Sequence, residues 1–240
     1  MSEVTEKNEP VLDVAGQIDR AELFFHKYKK QMGIAGAVVI GVIAIIVAYK
    51  MWYVPTKDAE AQSEMFYAEQ FFEKDSFNIA INGGKIVKLA DGTDKTTMGF
   101  EEIADQYGLT PSGNLAQYYL GISYLRTGKY EDAITHLEKF STDDVILNSI
   151  AVGAMGDAHM ELNKADEAIK YYLKAADQNS NTFTSPIYLK KAAFAYEAKG
   201  SYADAVRIYE RIQKEYNRST EARDMDKFIT RAKILGNLGS

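Results

Sequence analysis

One seven-residue pattern occurs three times in the second half of the chain. It reads GKYEDAI at residues 128–134, NKADEAI at 163–169 and GSYADAV at 200–206. The three copies begin 35 and 37 residues apart, and each has Gly or Asn first and Ala sixth. A period of this length predicts a fold built from stacked copies of one small unit, each of which packs against its neighbours.

The pattern continues upstream of each copy. A small residue lies twelve positions before the Ala, which gives the pairs Gly121 with Ala133, Gly156 with Ala168, and Ala193 with Ala205. Small side chains at paired positions let two antiparallel helices approach closely. The Gly or Asn that opens each copy tolerates a left-handed backbone at the turn between those helices. Each copy is therefore predicted to be a helical hairpin.

These offsets resemble the tetratricopeptide repeat (TPR), a 34-residue helical hairpin with aromatic and small landmarks at such positions. The resemblance implies an all-α fold, a solenoid of helical hairpins that must stack because one hairpin cannot bury its own face. Full repeats are predicted at about 114–147, 149–182 and 186–219.

The segments that flank the full repeats are less regular. Ala68 and Ala80 hold the offsets of the paired small residues and predict a degenerate repeat at about 57–83, which breaks before its second helix is complete. The polar residues 84–97 form an insertion, and the sequence leaves open whether it is a loop or a small hairpin. A helix is predicted to resume after it in the segment FEEIADQYG at residues 100–108. Residues 220–235 are predicted to form a capping helix whose polar face ends the solenoid.

An uncharged apolar segment precedes the repeats. The 18 residues from Met32 to Tyr49 carry no charged or strongly polar side chain. As a helix they extend about 27 Å, close to the hydrocarbon thickness of a bilayer. We therefore predict a transmembrane helix at 32–54. The alternatives are a buried core helix and a cleaved signal peptide, but the long, acid-containing region before the segment favours an uncleaved anchor.

The charges beside this segment predict its orientation. Four bases lie shortly before it and two shortly after it: Arg20, Lys27, Lys29 and Lys30, against Lys50 and Lys57. By the positive-inside rule, residues 1–31 are predicted to be cytoplasmic. Residues 55–240, the repeat domain, would then lie in the periplasm of a bacterium, and the chain would cross the inner membrane once.

Two further features belong to the N-terminal part. Small residues recur along the predicted span at near-helical spacing and predict a face for packing against a partner helix: Gly33, Ala37, Gly41, Ala44 and Ala48. Apolar residues within 11–25 fall near helical spacing with charged residues between them. They predict a short amphipathic helix within the cytoplasmic segment.

Composition and motifs exclude several functions. The chain has no cysteine and a net charge of −6, which argues against thiol chemistry and against binding nucleic acid. No catalytic motif or phosphate-binding loop occurs, and the three histidines are far apart without metal-ligand spacing. We predict neither an enzyme nor a metal or cofactor site. His159 holds an aromatic position of the repeat and is predicted to be buried, whereas His136 is expected to face solvent.

Candidate binding residues follow from the TPR resemblance, because the first helix of each repeat lines the concave face of such solenoids. Carrying over the inward offsets predicts a groove lined by Met65, Phe72, Tyr118, Ile122, Leu125, Arg126, Asp157, Met160, Lys190 and Phe194. The alternative is that several of them contact neighbouring helices. Tyr118 and Ile122 stand where repeats that bind acidic tails carry Lys and Asn, so a carboxylate clamp is absent. An apolar, aromatic groove suits unfolded or amphipathic peptide segments.

The order of the segments resembles the bacterial YfgM-like proteins, which are ancillary subunits of the Sec translocon with periplasmic chaperone character. The resemblance is one of architecture and repeat placement. It implies that the partners are translocon channel subunits, periplasmic chaperones, and nascent or unfolded chains. The alternatives are a scaffold for an envelope assembly or cell-division machine that binds no unfolded substrate, and a receptor whose cytoplasmic segment carries the function.

Overall fold

A computed structural model describes the backbone of residues 14–239 and the side chains of residues 27–239. The chain divides into two compact units, Met1–Tyr53 and Val54–Ser240. We refer to them as the N-terminal unit and the repeat unit.

The N-terminal unit contains α1, Val14–Ala48, followed by a π-helical segment at Tyr49–Tyr53. Within the part of the chain that the structure describes, one helix is long and apolar enough to cross a membrane, and none of its apolar stretch is buried. Length and composition alone fit both a membrane span and a signal sequence. The small residues of the predicted packing face are exposed on α1, and a Cβ added at Gly33 or Gly41 would meet no atom within 4 Å.

The predicted amphipathic helix of the N-terminal unit falls mostly outside the described residues. The structure describes nothing of residues 1–13, and of residues 14–26 it describes the helical backbone alone. The apolar face of that helix therefore stays a prediction.

The repeat unit is helical apart from one two-stranded hairpin. Its helices are α2 (Val54–Glu73), α3 (Phe77–Asn82), α4 (Phe100–Gln106), α5 (Pro111–Arg126), α6 (Tyr130–Lys139), α7 (Val145–Glu161), α8 (Ala165–Asp177), α9 (Ser185–Ala198), α10 (Tyr202–Glu215) and α11 (Met225–Leu235). The strands β1 (Ile86–Lys88) and β2 (Asp94–Thr96) pair antiparallel. From α5 to α10, successive helices pack as three hairpins, and each hairpin packs against the next.

Close contact between the two helices of each hairpin explains the paired small residues. A Cβ added to Gly121 would lie 2.7 Å from Cδ2 of Leu137, and one added to Gly156 would lie 2.6 Å from the ring of Tyr172. Ala193 holds the same place in the third hairpin and is fully buried. The three partners on the second helices are also fully buried: Ala133, Ala168 and Ala205. The small residues of the repeat thus admit a large side chain from the facing helix.

The turns within the three hairpins share one backbone conformation. Gly128 has φ +78°, Asn163 has φ +58° and Gly200 has φ +76°, all in the left-handed region. Gly enters this region without a steric penalty, and Asn tolerates it better than most residues. The Gly or Asn that opens each copy of the sequence pattern is therefore required by the turn, as predicted.

The first repeat is interrupted, not truncated. Its second helix begins as α3, ends at Asn82, and resumes as α4 after the β1–β2 hairpin. Gly83 and Gly99, at the two ends of this excursion, lie against each other, and a Cβ on Gly83 would lie only 2.5 Å from the carbonyl oxygen of Thr97. α4 packs against α2 and α5 and buries Phe100 completely. The helix thus breaks next to Gly83 and Gly84 and resumes in the segment FEEIADQYG, both as the sequence predicts.

The insertion itself is a hairpin, which the sequence left undecided. Lys95 on β2 forms an ion pair of 2.7 Å with Glu64 on α2, and its ammonium lies 5.1 Å from the ring centre of Tyr67. Both side chains of the ion pair are largely buried, so the pair is shielded from solvent screening. These contacts attach the hairpin to the first helix of the repeat it interrupts.

A capping element follows the third full repeat. The Ser219 hydroxyl accepts a hydrogen bond of 3.2 Å from the amide of Ala222, at the start of a 3₁₀ turn, Glu221–Asp224. α11 then packs against α10 and buries Met225 and Ala232 completely. The solenoid therefore ends on a helix that buries one face and exposes the other.

The two histidines of the repeats have similar surroundings. His159 is half-buried and stacks on Tyr171, with ring centres 5.0 Å apart. His136, predicted to face solvent, is also half-buried, stacks on Tyr124 and forms a 2.7 Å hydrogen bond through Nδ1 with Gln117. The prediction for His136 was wrong, because its ring fills the space between two helices. Desolvation lowers the pKa of both imidazoles below its ordinary value.

Candidate protein-interaction surface

The first helices of the repeats carry all ten of the predicted groove residues, and the structure separates these residues into three sets. Six line two neighbouring clefts: Phe72, Ile122, Leu125, Arg126, Asp157 and Met160. Three lie outside both clefts: Tyr118, Lys190 and Phe194. The tenth, Met65, is 3% exposed and packs in the core with Phe100. The sequence predicts Met65 to line the groove, but the structure leaves it no accessible surface there.

The first cleft lies between the end of α2, the beginning of α3 and the end of α5. It has a volume of about 230 Å³. Its apolar wall consists of Phe72, Phe77 and Ile122, and Glu73 and Asp75 add carboxylates at its rim. Phe72 is held in place by edge-to-face contacts with aromatic neighbours, among them Phe77 at 5.4 Å between ring centres. This cleft can hold an aliphatic or aromatic side chain beside a negative rim.

The second cleft lies between the ends of α5 and α7 and the second helices that follow them. Its volume is about 370 Å³. Leu125 and Met160 give it an apolar floor, and Glu161 gives it an exposed carboxylate that accepts a 3.2 Å hydrogen bond from Tyr130. Met side chains adapt to partners of different shape, because they are unbranched and polarizable. The second cleft therefore repeats the composition of the first, an apolar floor with an acidic rim.

Arg126 lines both clefts. Its guanidinium lies 3.8 Å from the carboxylate of Asp75 and 5.5 Å from the ring centre of Phe77. Both side chains of this ion pair are more than half exposed, so the pair contributes little to stability and opens readily. Arg126 thus places one positive charge between the acidic rims of the two clefts.

Asp157 is occupied within the protein. Its carboxylate accepts a 2.7 Å hydrogen bond from the Tyr172 hydroxyl and forms a 2.7 Å ion pair with Lys191. Burial, followed by the nearby Asp157 charge, raises the pKa of Tyr172, which keeps its hydroxyl protonated as a donor. Asp157 thus fixes the wall of the second cleft, and the carboxylate that remains for a partner there is Glu161.

The three predicted residues outside the clefts pack against other elements. Tyr118 is half-buried with its ring centre 5.3 Å from that of Phe140, and burial raises the pKa of its hydroxyl. Phe194 is 38% exposed and lies edge-on to Phe228 of α11. The Lys190 ammonium lies 5.2 Å from the ring centre of Phe228. These residues pack α5 and α9 against neighbouring elements. The sequence left this open as the alternative to lining the groove.

The sequence analysis missed the residues that complete the clefts. Phe77 and Tyr130 are the first residues of α3 and α6, and each faces the last turn of the preceding first helix. Both open the second helix of a repeat at the same aromatic landmark, which is a signal that the sequence does contain. A larger cleft of about 770 Å³ lies elsewhere, on α11 and the residues after it. It is lined by Ile229, Thr230, Lys233, Ile234, Asn237, Leu238 and Gly239.

The comparisons with known proteins agree with this architecture. Residues 154–220 and 115–143 match two models of the tetratricopeptide repeat. Together with the stacked hairpins, these matches define an all-helical TPR-like solenoid. Such a fold is typically a non-enzymatic module for protein–protein interaction, and neither match indicates a catalytic family.

A solved structure supports the same fold. The chain is similar to a Podosopora anserina protein assigned as a kinesin light chain with nearly identical TPR-like repeats. The similarity covers 74% of this chain and 87% of that one, with a TM-score of 0.52 and 15% sequence identity. A search among curated proteins gave no significant match. Identity at this level establishes the fold alone.

Proposed function

We propose that the chain is an inner-membrane-anchored interaction module whose repeat unit lies in the periplasm and binds extended apolar segments of other proteins. In this proposal it serves as an ancillary subunit of the Sec translocon and contacts emerging chains. Support for the location comes from the apolar segment of α1 and the excess of bases before it. Support for the translocon comes from the order of segments shared with YfgM-like proteins.

The proposed binding activity rests on one observation: the two clefts have similar linings. Each combines apolar side chains on the ends of first helices with exposed carboxylates: Glu73 and Asp75 in the first cleft, Glu161 in the second. An extended segment presents side chains at regular intervals, so neighbouring clefts can each take one apolar residue. The acidic rims favour segments whose apolar residues are flanked by Lys or Arg.

The binding proposal is tested with the full chain in zwitterionic lipid nanodiscs and a labelled peptide of alternating Leu and Lys. Empty nanodiscs give the background. We expect the double variant Ile122→Ser, Met160→Ser to weaken binding by about tenfold or more, because hot-spot side chains contribute 1–2 kcal/mol each or more. The matched control is Ile234→Ser, an exposed apolar residue on α11 that lines neither cleft.

A second peptide makes the test independent of how well the variant folds. The same peptide with Glu in place of Lys should bind the unmodified chain more weakly. Equal binding of both peptides, together with unchanged binding by the double variant, would favour the scaffold alternative. Co-purification in mild detergent then separates the two functions, since the proposal expects translocon subunits and the alternative expects division or assembly proteins.

A further inference from the structure

The first helices of the repeat unit begin along one edge of the solenoid. The carboxylate of Asp58, in the first turns of α2, accepts a 2.8 Å hydrogen bond from the amide of Ser112 in the first turn of α5. Asn114 of α5 exchanges two hydrogen bonds of 2.8 and 3.0 Å with the backbone of Ser141, just before α7. The Ser185 hydroxyl, at the start of α9, donates to the last turn of α8. We call this row of helix starts and preceding loops the N-terminal edge.

Large apolar side chains are exposed along the N-terminal edge at each full repeat. Leu109, two residues before α5, is 79% exposed, and Phe183, two residues before α9, is 64% exposed. Val145 and Ile146 open α7 and are 41% and 44% exposed. Single exposed apolar residues are ordinary on a protein surface. These residues lie within two residues of the start of the first helix in three successive repeats, and exposed apolar side chains grouped along one edge are typical of a contact surface.

The chain connects this edge to the apolar segment of α1. α2 begins at Val54, directly after Tyr53, and its first turns lie beside the start of α5 through the hydrogen bond between Asp58 and Ser112. The exposed Trp52 and Tyr53 have the amphipathic rings that concentrate at membrane interfaces. Along the sequence, Asp58 is therefore only five residues from Tyr53, the last residue of the N-terminal unit.

We propose that the N-terminal edge rests on the lipid surface, with Leu109, Ile146 and Phe183 inserted among the lipid head groups and upper acyl chains. This inference rests on the membrane anchor of the proposed function. Asp143 and Asp144 are exposed at the same edge, so attraction to anionic lipid does not drive the contact. Burial of the apolar side chains stabilises the contact, so salt should have little effect on zwitterionic lipid. Anionic lipid should weaken the contact, because it repels the two carboxylates, and salt should screen that repulsion.

The absence of cysteine in the sequence allows a direct test with single spin labels. Leu109→Cys, Ile146→Cys and Phe183→Cys are labelled in the full chain and reconstituted at low density into phosphatidylcholine vesicles. Accessibility to oxygen, which concentrates in lipid, is compared with accessibility to a water-soluble nickel complex. Lys164→Cys, at a turn on the opposite edge, is the matched control for a water-exposed site. Ile43→Cys reports whether α1 is in the bilayer.

The expected result is a lipid-like ratio of accessibilities at the three edge positions and a water-like ratio at Lys164→Cys. Adding phosphatidylglycerol should make the ratio at Ile146→Cys less lipid-like, because Asp143 and Asp144 lie beside it, and added salt should reverse that change. Replacing both Leu109 and Phe183 by Ser should lower the docked population, read at Ile146→Cys, by on the order of tenfold. The same readout with Ile234→Ser should not change.

The outcomes separate this inference from the anchor on which it rests. A lipid-like signal at Ile43→Cys with water-like signals at all three edge positions overturns the inference and leaves the anchor standing. A water-like signal at Ile43→Cys overturns both. Edge positions that are shielded from both oxygen and nickel would show a protein contact there, which also overturns the lipid contact.

Discussion

The three full repeats and the interrupted first repeat reach the same packing by different routes. In the first full repeat, Leu137 fills the space beside Gly121, sixteen residues earlier in one continuous hairpin. In the interrupted repeat, Ala68 occupies the small position, but its second helix ends at Asn82. One large aromatic side chain of that buried cluster is Phe100, which comes from beyond the insertion and stacks on Tyr119 with ring centres 4.9 Å apart.

This difference indicates which part of the repeat is essential. A solenoid requires a large side chain at one place between two helices, and it does not require that an unbroken helix deliver it. The interruption is tolerated because Gly83 and Gly99 bring the ends of the insertion together without side chains between them. The interrupted repeat should therefore depend on its glycines, and the full repeats on their small helix residues.

The largest effect is expected at the closure of the insertion. A Cβ at Gly99 would clash with the backbone at Ile81 and Asn82, which cannot move aside as a side chain can. We expect Gly99→Ala to lower the free energy of unfolding by roughly 3 kcal/mol, at the upper end for overpacking. Thermal unfolding followed by circular dichroism measures it. Gly239→Ala, where an added Cβ meets nothing within 4 Å, is the control. Equal thermal unfolding midpoints for the two variants would contradict the close approach of Gly99 to the backbone at Ile81 and Asn82.

A smaller effect is expected in the full repeats. Ala168 is fully buried where α8 faces α7, so Ala168→Leu overpacks this hairpin. The neighbouring side chains can partly rearrange, and we expect a loss of about 1–3 kcal/mol in the free energy of unfolding. Ala203→Leu, at an exposed position on the second helix α10, is the matched control. A loss at Ala203 as large as at Ala168 would show that the helix face is assigned incorrectly.

The smallest effect concerns pH and distinguishes the two kinds of repeat. Desolvation lowers the pKa of His136 and His159 in the folded state, so folding favours their neutral forms. Their contribution is fully present above the ordinary pKa of 6.5 and is lost as the pH falls from there toward the folded-state pKa. Amide exchange should accelerate in α5–α8 between pH 7.5 and 5.5 relative to α2–α4. Replacing both histidines by Phe should remove the difference, and its persistence would assign it to other groups.

Part of this architecture could be predicted from sequence because the characteristic residues of each repeat contact partners within the same hairpin. Gly121, Gly156 and Ala193 occur at a fixed distance from their partners in one hairpin, and the periodicity reports them directly. The helix that begins at Phe100 could be predicted, but the burial of Phe100 in one cluster with Ala80 could not, since nineteen residues and a β-hairpin separate the two along the chain. Met65 was misplaced because α2 packs against α3, α4 and α5 together, which buries a face that would be open in an uninterrupted repeat.

For the clefts, too, the sequence predicted only some of the lining residues. Ile122, Leu125 and Met160 follow from helix position, and the sequence predicted them as lining residues. The acidic rims did not follow, because Glu73 and Glu161 lie at helix ends, where small differences in the turn decide which way a side chain points. Asp157 was predicted as a contact for partners, but its ion pair with Lys191 comes from the next repeat and is invisible to a single-repeat pattern.

The length of the first helices determines how far the clefts lie from the N-terminal edge. α5 has 16 residues, so about 24 Å separate its start at the N-terminal edge from the clefts at its end. An extended polypeptide leaving the plane of that edge advances about 3.3 Å per residue and needs roughly seven residues to reach the clefts. If the repeat unit has the proposed function and lipid contact, a segment shorter than about seven residues could not reach the clefts from the membrane surface.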